Sequence, residues 1–305
     1  MAQRPEAETP MSIELAARLV ASQHPGLADR QLRPGGEGWD SYVFRLGDDL
    51  GVRFPRTATV AGHVPIELEF LPGVAKRLPL AVPAPVEGGE PDLGYPFMWS
   101  IVRWVPGRSI WEHTAAEAAD LRRSTSCAEQ LAEMLTALAV PASDNAPFSP
   151  FGRGGPLQSR DTKTRDYLSL AAAELPEPAT WSWTTVEQIW EAAPRIPVPP
   201  VRTWFHGDLH PGNVIADHGR LTGLIDWVDF AAGDPAVDLS AAWSLFDASR
   251  RSILRDACAF DDQTWRRAQG WAVTLAATYF THSPPGSPLR NTAHDVFTAV
   301  CDEVS

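Results

Sequence analysis

The chain has 305 residues, 44% of them apolar and 21% charged, a globular mixture that excludes wholesale disorder and, by length, predicts about two domains. Its 38 Asp and Glu outnumber 26 Lys and Arg for a net charge of −12, which argues against wrapping duplex DNA or clinging to an anionic membrane. The three cysteines, Cys127, Cys258 and Cys301, form no CxxC pair, residues Met1–Pro10 carry charges and two prolines, and no run of 18 apolar residues occurs, so a disulfide framework, a secretion signal and a membrane span are not expected and a reducing cytoplasm is.

Over residues 12–22, Ile13, Ala16, Leu19 and Val20 fall on one helical face, and His24-Pro25-Gly26 ends the run. Gly35-Gly36-Glu37-Gly38 then precedes Ser41–Leu46 and Val52–Pro55, which read as antiparallel strands joined by the turn Gly47-Asp48-Asp49. The spacing predicts a helix over 63–71 carrying Glu67 and Glu69, an extended proline-rich stretch over 78–85 and a strand over 97–105.

From there the apolar period becomes helical. Leu131, Met134, Leu135 and Leu138 form a stripe, and Thr114-x-x-Glu117, Ser126-x-x-Glu129 and Thr184-x-x-Glu187 read as capping boxes. Residues 144–155 and 194–200 are loops by their Pro, Gly and Ser content. Strands near Val214–Ala216 and Leu221–Trp227 flank the turn Asp217-His218-Gly219-Arg220, and helix resumes after Pro235. Residues 1–29 carry net −2 and 30–104 net −1, which leaves −9 for the helical remainder, a solvated acidic surface or a field that draws in a cation.

The densest chemistry lies in Trp204-Phe205-His206-Gly207-Asp208-Leu209-His210-Pro211-Gly212-Asn213, followed by Gly223-Leu224-Ile225-Asp226-Trp227. Gly207 and Pro211-Gly212 permit a tight bend, so Asp208 and Asn213 can converge, and a hairpin returns Asp226 beside Asn213. Carboxylate, carboxamide oxygen and water are the ligands Mg²⁺ prefers. Asn213 and Asp226 are therefore candidate metal ligands and Asp208 a candidate proton acceptor, as phosphoryl transfer requires. His206 and His210 are four apart, as in zinc helices, but the glycines and proline between and after them oppose a helix.

This run resembles the HGDxHxxN catalytic loop and IDxx metal segment of the aminoglycoside phosphotransferase family, and the likeness extends over most of the chain. It implies an α+β, protein-kinase-like bilobal fold. Residues 1–104, with the leading helix, would form a small antiparallel-sheet nucleotide-binding lobe with a helix, and 105–305 a larger, mostly helical lobe with the catalytic loop and acceptor site. Arg53, in Val52-Arg53-Phe54-Pro55-Arg56, stands where the family has a lysine that grips nucleotide phosphates; arginine keeps the charge and adds a planar fork. Glu67 falls at its partner's position, with Glu69 as the fallback. Gly36, Gly38 and Ser41 form either a phosphate-covering loop or a plain hairpin loop. Ser100 and Val102 lie in a strand resembling the hinge that pairs with the base. His206 and Asp234 are implied to support the loop, Asp234 also as a helix cap. Asp229 faces the acceptor or the surface, and Trp227 is core or a wall of the acceptor pocket.

The resemblance implies Mg²⁺-dependent transfer of the γ-phosphoryl group of ATP or GTP to a hydroxyl of a small molecule, an aminoglycoside or other antibiotic, with a cationic acceptor favoured by the acidic half. A kinase of a choline-, homoserine- or sugar-like metabolite is one alternative. A catalytically silent nucleotide-binding pseudokinase, suggested by Arg53 and the sparse glycine loop, is another. A dinuclear metallophosphatase would need an early DxH and a late His-rich pair, and the sequence has neither. A cytoplasmic monomer or weak dimer is expected, with no nucleic-acid or membrane partner.

Overall fold

A computed structural model describes residues 6–38, 40–175 and 181–302; the first half of the Met1–Pro10 segment, read above as carrying no signal, lies outside the described residues. The described residues divide into two compact units, one of 6–77 together with 81–106, the other of 78–80 together with 107–302.

In the first unit, Ser12 accepts the Leu15 N–H and so caps α1 (Ile13–Gln23), which turns Ala16, Leu19 and Val20 inward. Strands β1 (Leu32–Glu37), β2 (Ser41–Leu46), β3 (Leu50–Pro55), β4 (Pro85–Gly89) and β5 (Trp99–Arg103) form one antiparallel sheet in the order β1-β2-β3-β5-β4. Leu19, Val20, Phe44, Leu46, Val52, Phe54, Trp99 and Ile101 share one core, with the Phe54 and Trp99 rings 5.0 Å apart. Each such side chain contributes about 1.5–3 kcal/mol by leaving water. Thr57 caps α2 (Ala58–Ala61), and α3 (Val64–Ala75) follows with Glu67 on its buried face. The helix runs past the expected end at 71, through Pro72, at the cost of one internal hydrogen bond.

The second unit holds a three-stranded sheet of β6 (Arg108–Ser109), β8 (Val214–Asp217) and β9 (Arg220–Leu224), and a pair of β7 (Thr203–Phe205) with β10 (Ala231–Gly233). Its helices are α4 (Ala115–Arg122), α5 (Thr125–Leu138), α6 (Asp161–Glu174), α7 (Trp183–Ala192), α8 (Ala236–Leu239), α9 (Ala241–Leu245), α10 (Ala248–Ala257), α11 (Asp262–His282) and α12 (Pro288–Cys301). Helix α11 packs against α6, α7, α8 and α12 and buries Trp265, Trp271 and Phe280 among them.

Thr114 and Glu117 form the expected capping box. The other two boxes are displaced: α5 is capped by Ser124, which accepts the Cys127 N–H, and α7 by Ser182, which accepts the Thr185 N–H. In each case a serine two residues upstream satisfies the orphan donor first, so Ser126 and Thr184 fall inside the helix. The expected strand over 221–227 stops at Leu224, because Asp226 adopts φ 62°, outside the extended region. Among the described residues no helix is long and apolar enough to cross a membrane.

Candidate active site

In the first unit Arg53 projects from β3 to α3, its Nη1 2.7 Å from Glu67 Oε2, with side chains 13% and 5% exposed. Glu69 is exposed, since residues two apart on a helix point to different faces. The strand β1 shifts register against β2 between Pro34 and Gly36, where Gly36 takes φ 121°. Gly38 follows the strand, and buried Ser41 opens β2 opposite Pro55. Ser100 and Val102 require a correction. Both sit within β5, which pairs with β3 on one side and β4 on the other, so the sheet's own ladders occupy the strand edges a nucleobase would need.

In the second unit β7 delivers the chain into a bend at Gly207, whose φ is 93°. A Cβ there would lie 2.8 Å from the Asp229 Cβ, so both the backbone angle and the space call for glycine. The buried Asp238 carboxylate accepts the His206 N–H at 2.6 Å and the Gly207 N–H at 2.7 Å. His206 accepts the Asp208 N–H on Nδ1 at 3.2 Å and meets the Ile225 carbonyl through Nε2 at 2.9 Å, contacts that require the neutral, Nε2-protonated ring. Burial, partly offset by the Ile225 carbonyl, pushes the His206 pKa down to about 4. Burial likewise pushes Asp238 up to about 7 against those two N–H donors.

Asp208, 22% exposed at its side chain, is held by three groups. Arg153 Nη2 lies 3.1 Å and the Tyr279 hydroxyl 2.8 Å from Oδ1, while His210 Nε2 lies 3.5 Å from Oδ2. Burial alone would raise its pKa, but the Arg153 charge, His210 and Tyr279 together outweigh that and hold the carboxyl well below the usual carboxylate range. His210 stacks on Trp111 with centroids 4.6 Å apart and accepts the Gly212 N–H on Nδ1. Asn213 closes the bend: its Nδ2 donates to the Asp208 carbonyl at 2.9 Å, and its own carbonyl accepts the Ile225 N–H at 2.9 Å. The β8–β9 hairpin therefore brings residue 225 against residue 213, with Asp226 next along the chain.

Asp229 is buried, its Oδ2 3.9 Å from Arg153 Nε, so it belongs to the charge network beside Asp208 and not to an open surface. Trp227 is a core residue. It is fully buried, packs its ring against His206 and Phe230, and donates its Nε1–H to the Leu224 carbonyl. Asp234 accepts the Ala236 N–H at the start of α8 and takes a two-pronged contact from Arg267 at 2.6 and 3.2 Å; the direct brace of the bend is Asp238. Arg153, Tyr279, the contact of His210 with Asp208 and the role of Asp238 are not foreseen from the sequence. Only Asp238 carried a local signal, in Gly233-Asp234-Pro235-Ala236-Val237-Asp238.

The donor set fits a hard cation. Asn213 commits its amide N–H to the bend and keeps its carboxamide oxygen as the acceptor, and Asp226 adds a carboxylate. Among the described residues no group of three or more His, Cys, Asp or Glu is placed to hold a metal. Two protein oxygens, with phosphate and water oxygens completing the shell, suit Mg²⁺ and not Zn²⁺.

The model of the phosphotransferase enzyme family (APH) matches residues 31–271, and the chain belongs to that family. Hygromycin-B 4-O-kinase of Escherichia coli is 29% identical over 124 residues, 37% of this chain and 35% of that protein. The solved GDP complex of wild-type aminoglycoside 2'-phosphotransferase-IIIa aligns with a TM-score of 0.66 at 18% identity, over 96% of this chain and 100% of that one. The apoenzyme of macrolide 2'-phosphotransferase MphH from Brachybacterium faecium aligns with a TM-score of 0.60 at 20% identity, over 96% and 97%. The matches span 27% and 35% of the length of the curated relatives. The structural likeness shows the fold, which is α+β and kinase-like.

Proposed function

We propose that this chain transfers the γ-phosphoryl group of a nucleoside triphosphate to a hydroxyl of a small molecule. The observation that carries the reading is the state of Asp208: an ionised carboxylate at a braced bend, one oxygen taken by Arg153 and Tyr279 and the other contacted only loosely, by His210. In the proposed reaction the acceptor oxygen bonds to the γ-phosphorus, the bond to the β–γ bridging oxygen breaks, the nucleoside diphosphate leaves, and the hydroxyl proton passes to Asp208 Oδ2. So weak a base orients the hydroxyl first and takes its proton late, as suits a loose transition state. Arg53, steadied by Glu67, neutralises donor phosphate charge, with Gly36, Gly38 and Ser41 as the backbone beside it. When bound to Asn213 and Asp226, Mg²⁺ would supply further neutralisation of the phosphates.

The donor is ATP or GTP; solved relatives carry GDP or ADP. The names of the relatives, hygromycin-B kinase and aminoglycoside and macrolide phosphotransferases, support an antibiotic acceptor, and a sugar-like metabolite is the second reading. The three buried free thiols accord with a reducing cytoplasm.

The test is release of ADP or GDP by the Mg²⁺-loaded protein, with and without a panel of hydroxylated antibiotics and sugars, compared with Asp208→Asn. Acceptor-stimulated release that falls roughly 10²- to 10⁴-fold in the variant is expected. Nucleotide binding without any turnover would instead establish a silent module.

A further inference from the structure

Arg153 stands where two carboxylates of the candidate site meet, 3.1 Å from Asp208 Oδ1 and 3.9 Å from Asp229 Oδ2, with its side chain 12% exposed. It is fixed by its loop. The Ser149 hydroxyl accepts the N–H groups of Phe151 and Arg153, and the Gly154 carbonyl accepts the Asp234 N–H at 2.8 Å. A second guanidinium follows: Arg160 donates to Thr274 Oγ1 and the Phe151 carbonyl and lies 5.2 Å over the Trp271 ring. Burial first, and the neighbouring Arg153 charge second, push its pKa down to about 10. Further along α6, Lys163 lies 5.5 Å over the Tyr167 ring, and the Tyr167 hydroxyl meets His282 Nε2 at 2.7 Å. Two guanidinium groups, Arg153 and Arg160, thus stand near the Asp208 and Asp229 carboxylates, although the chain carries net −12.

We propose that Arg153 determines acceptor specificity: it supplies from within the chain the positive charge that an acceptor's ammonium group would otherwise bring to Asp208 and Asp229. The acceptor then presents neutral or anionic oxygens, and no ammonium, beside its reacting hydroxyl. This rests on the phosphotransfer reading for the reaction and on the contacts of Arg153 for the charge. An entering ammonium would have to displace a largely buried guanidinium from two carboxylates, or sit a few ångströms from it with little water to screen the repulsion. Hydroxyl, ether and carboxylate oxygens, by contrast, accept what the Arg153 and Arg160 guanidinium groups donate. The acidic excess elsewhere acts at longer range and fades over roughly 8–10 Å in salt, so the charge at contact decides. Among antibiotics this favours those whose reacting hydroxyl has no flanking amine, and it favours sugar-like acceptors generally.

The test titrates kanamycin, as a polycationic probe, into the 305-residue protein with Mg²⁺ and a non-hydrolysable nucleotide, by calorimetry at about 0.15 M salt, where the distant acidic charge is screened. Wild type is expected to show no saturable binding up to about 1 mM. Arg153→Met should gain affinity at least about tenfold through removal of the like charge, whereas Arg153→Lys, which keeps that charge, should not. Micromolar binding by wild type, kanamycin-stimulated phosphoryl transfer by wild type, or no gain in a folded Arg153→Met protein would each overturn the proposal. Should circular dichroism show Arg153→Met unfolded, Arg153→Gln replaces it, and the wild-type titration still decides. Absence of any acceptor-stimulated diphosphate release would sink the phosphotransfer reading separately and leave the titration to judge Arg153.

Discussion

The Gly207 N–H donates to Asp238 Oδ1 at 2.7 Å, across 31 residues of chain, from the bend that presents Asp208. Asp238 takes the His206 N–H as well, so Asp238→Ala strands two buried donors at once. The variant should lose about 2–5 kcal/mol of stability in urea titration. Turnover should fall more than nucleotide affinity does, because what loosens is the loop under Asp208. An unchanged urea midpoint would show that the bend does not depend on this carboxylate.

His206 and Asp238 set opposite pH slopes. The His206 pKa is lowered from 6.5 to about 4, so its contribution to stability is complete above pH 6.5 and is lost as pH falls towards 4. The Asp238 pKa is raised from 3.8 to about 7, so its contribution is complete below pH 3.8 and is lost as pH rises through 7. Between these limits the two nearly cancel in the wild type. His206→Gln, which can still donate to the Ile225 carbonyl, removes one side of the balance. Its stability should then decline with rising pH by up to about 1.4 kcal/mol per unit, measured as unfolding free energy at pH 4.5, 5.5 and 6.5; a slope equal to that of wild type would refute the pairing.

The resting position of Arg53 depends on Glu67, not Glu69. Glu67→Gln takes away the carboxylate that holds Arg53 Nη1 and should weaken nucleotide binding about tenfold, with a fall in melting temperature. Glu69→Gln, on the exposed face, should change neither. Calorimetric titration of both variants checks the contrast, and equal losses would remove the basis for choosing Glu67.

What the sequence made legible was local. Asp208, Asn213 and Asp226 sit within 19 residues on one bend and one hairpin, where glycine, proline and turn chemistry already fix the path. The strand pair 41–55 and the stripe on α5 were legible for the same reason: each buries a regular face. Arg153 and Tyr279 reach Asp208 across 55 and 71 residues, and nothing in their neighbouring residues announces such contacts. The fate of Trp227 was equally hidden, since an aromatic beside an acid reads the same whether it lines a pocket or fills the core.

Gly154 offers a test of how firmly Arg153 is held. At φ 64°, with a Cβ that would lie 2.3 Å from the Phe205 ring, Gly154→Ala combines backbone strain with overpacking. A loss of about 2–4 kcal/mol is expected, read by urea denaturation. A loss below the error of that measurement would mean that the 152–155 turn adapts freely.

The left-handed backbone at Asp226, φ 62°, bears on how that position is to be probed. Asparagine enters this conformation readily and alanine much less so. An alanine scan would therefore mix loss of an anionic oxygen with an untwisting of the chain after β9, whereas Asp226→Asn subtracts the charge and keeps the twist. The difference between the two variants in Mg²⁺-nucleotide affinity measures what the peptide geometry and a neutral side-chain oxygen contribute together, apart from the negative charge.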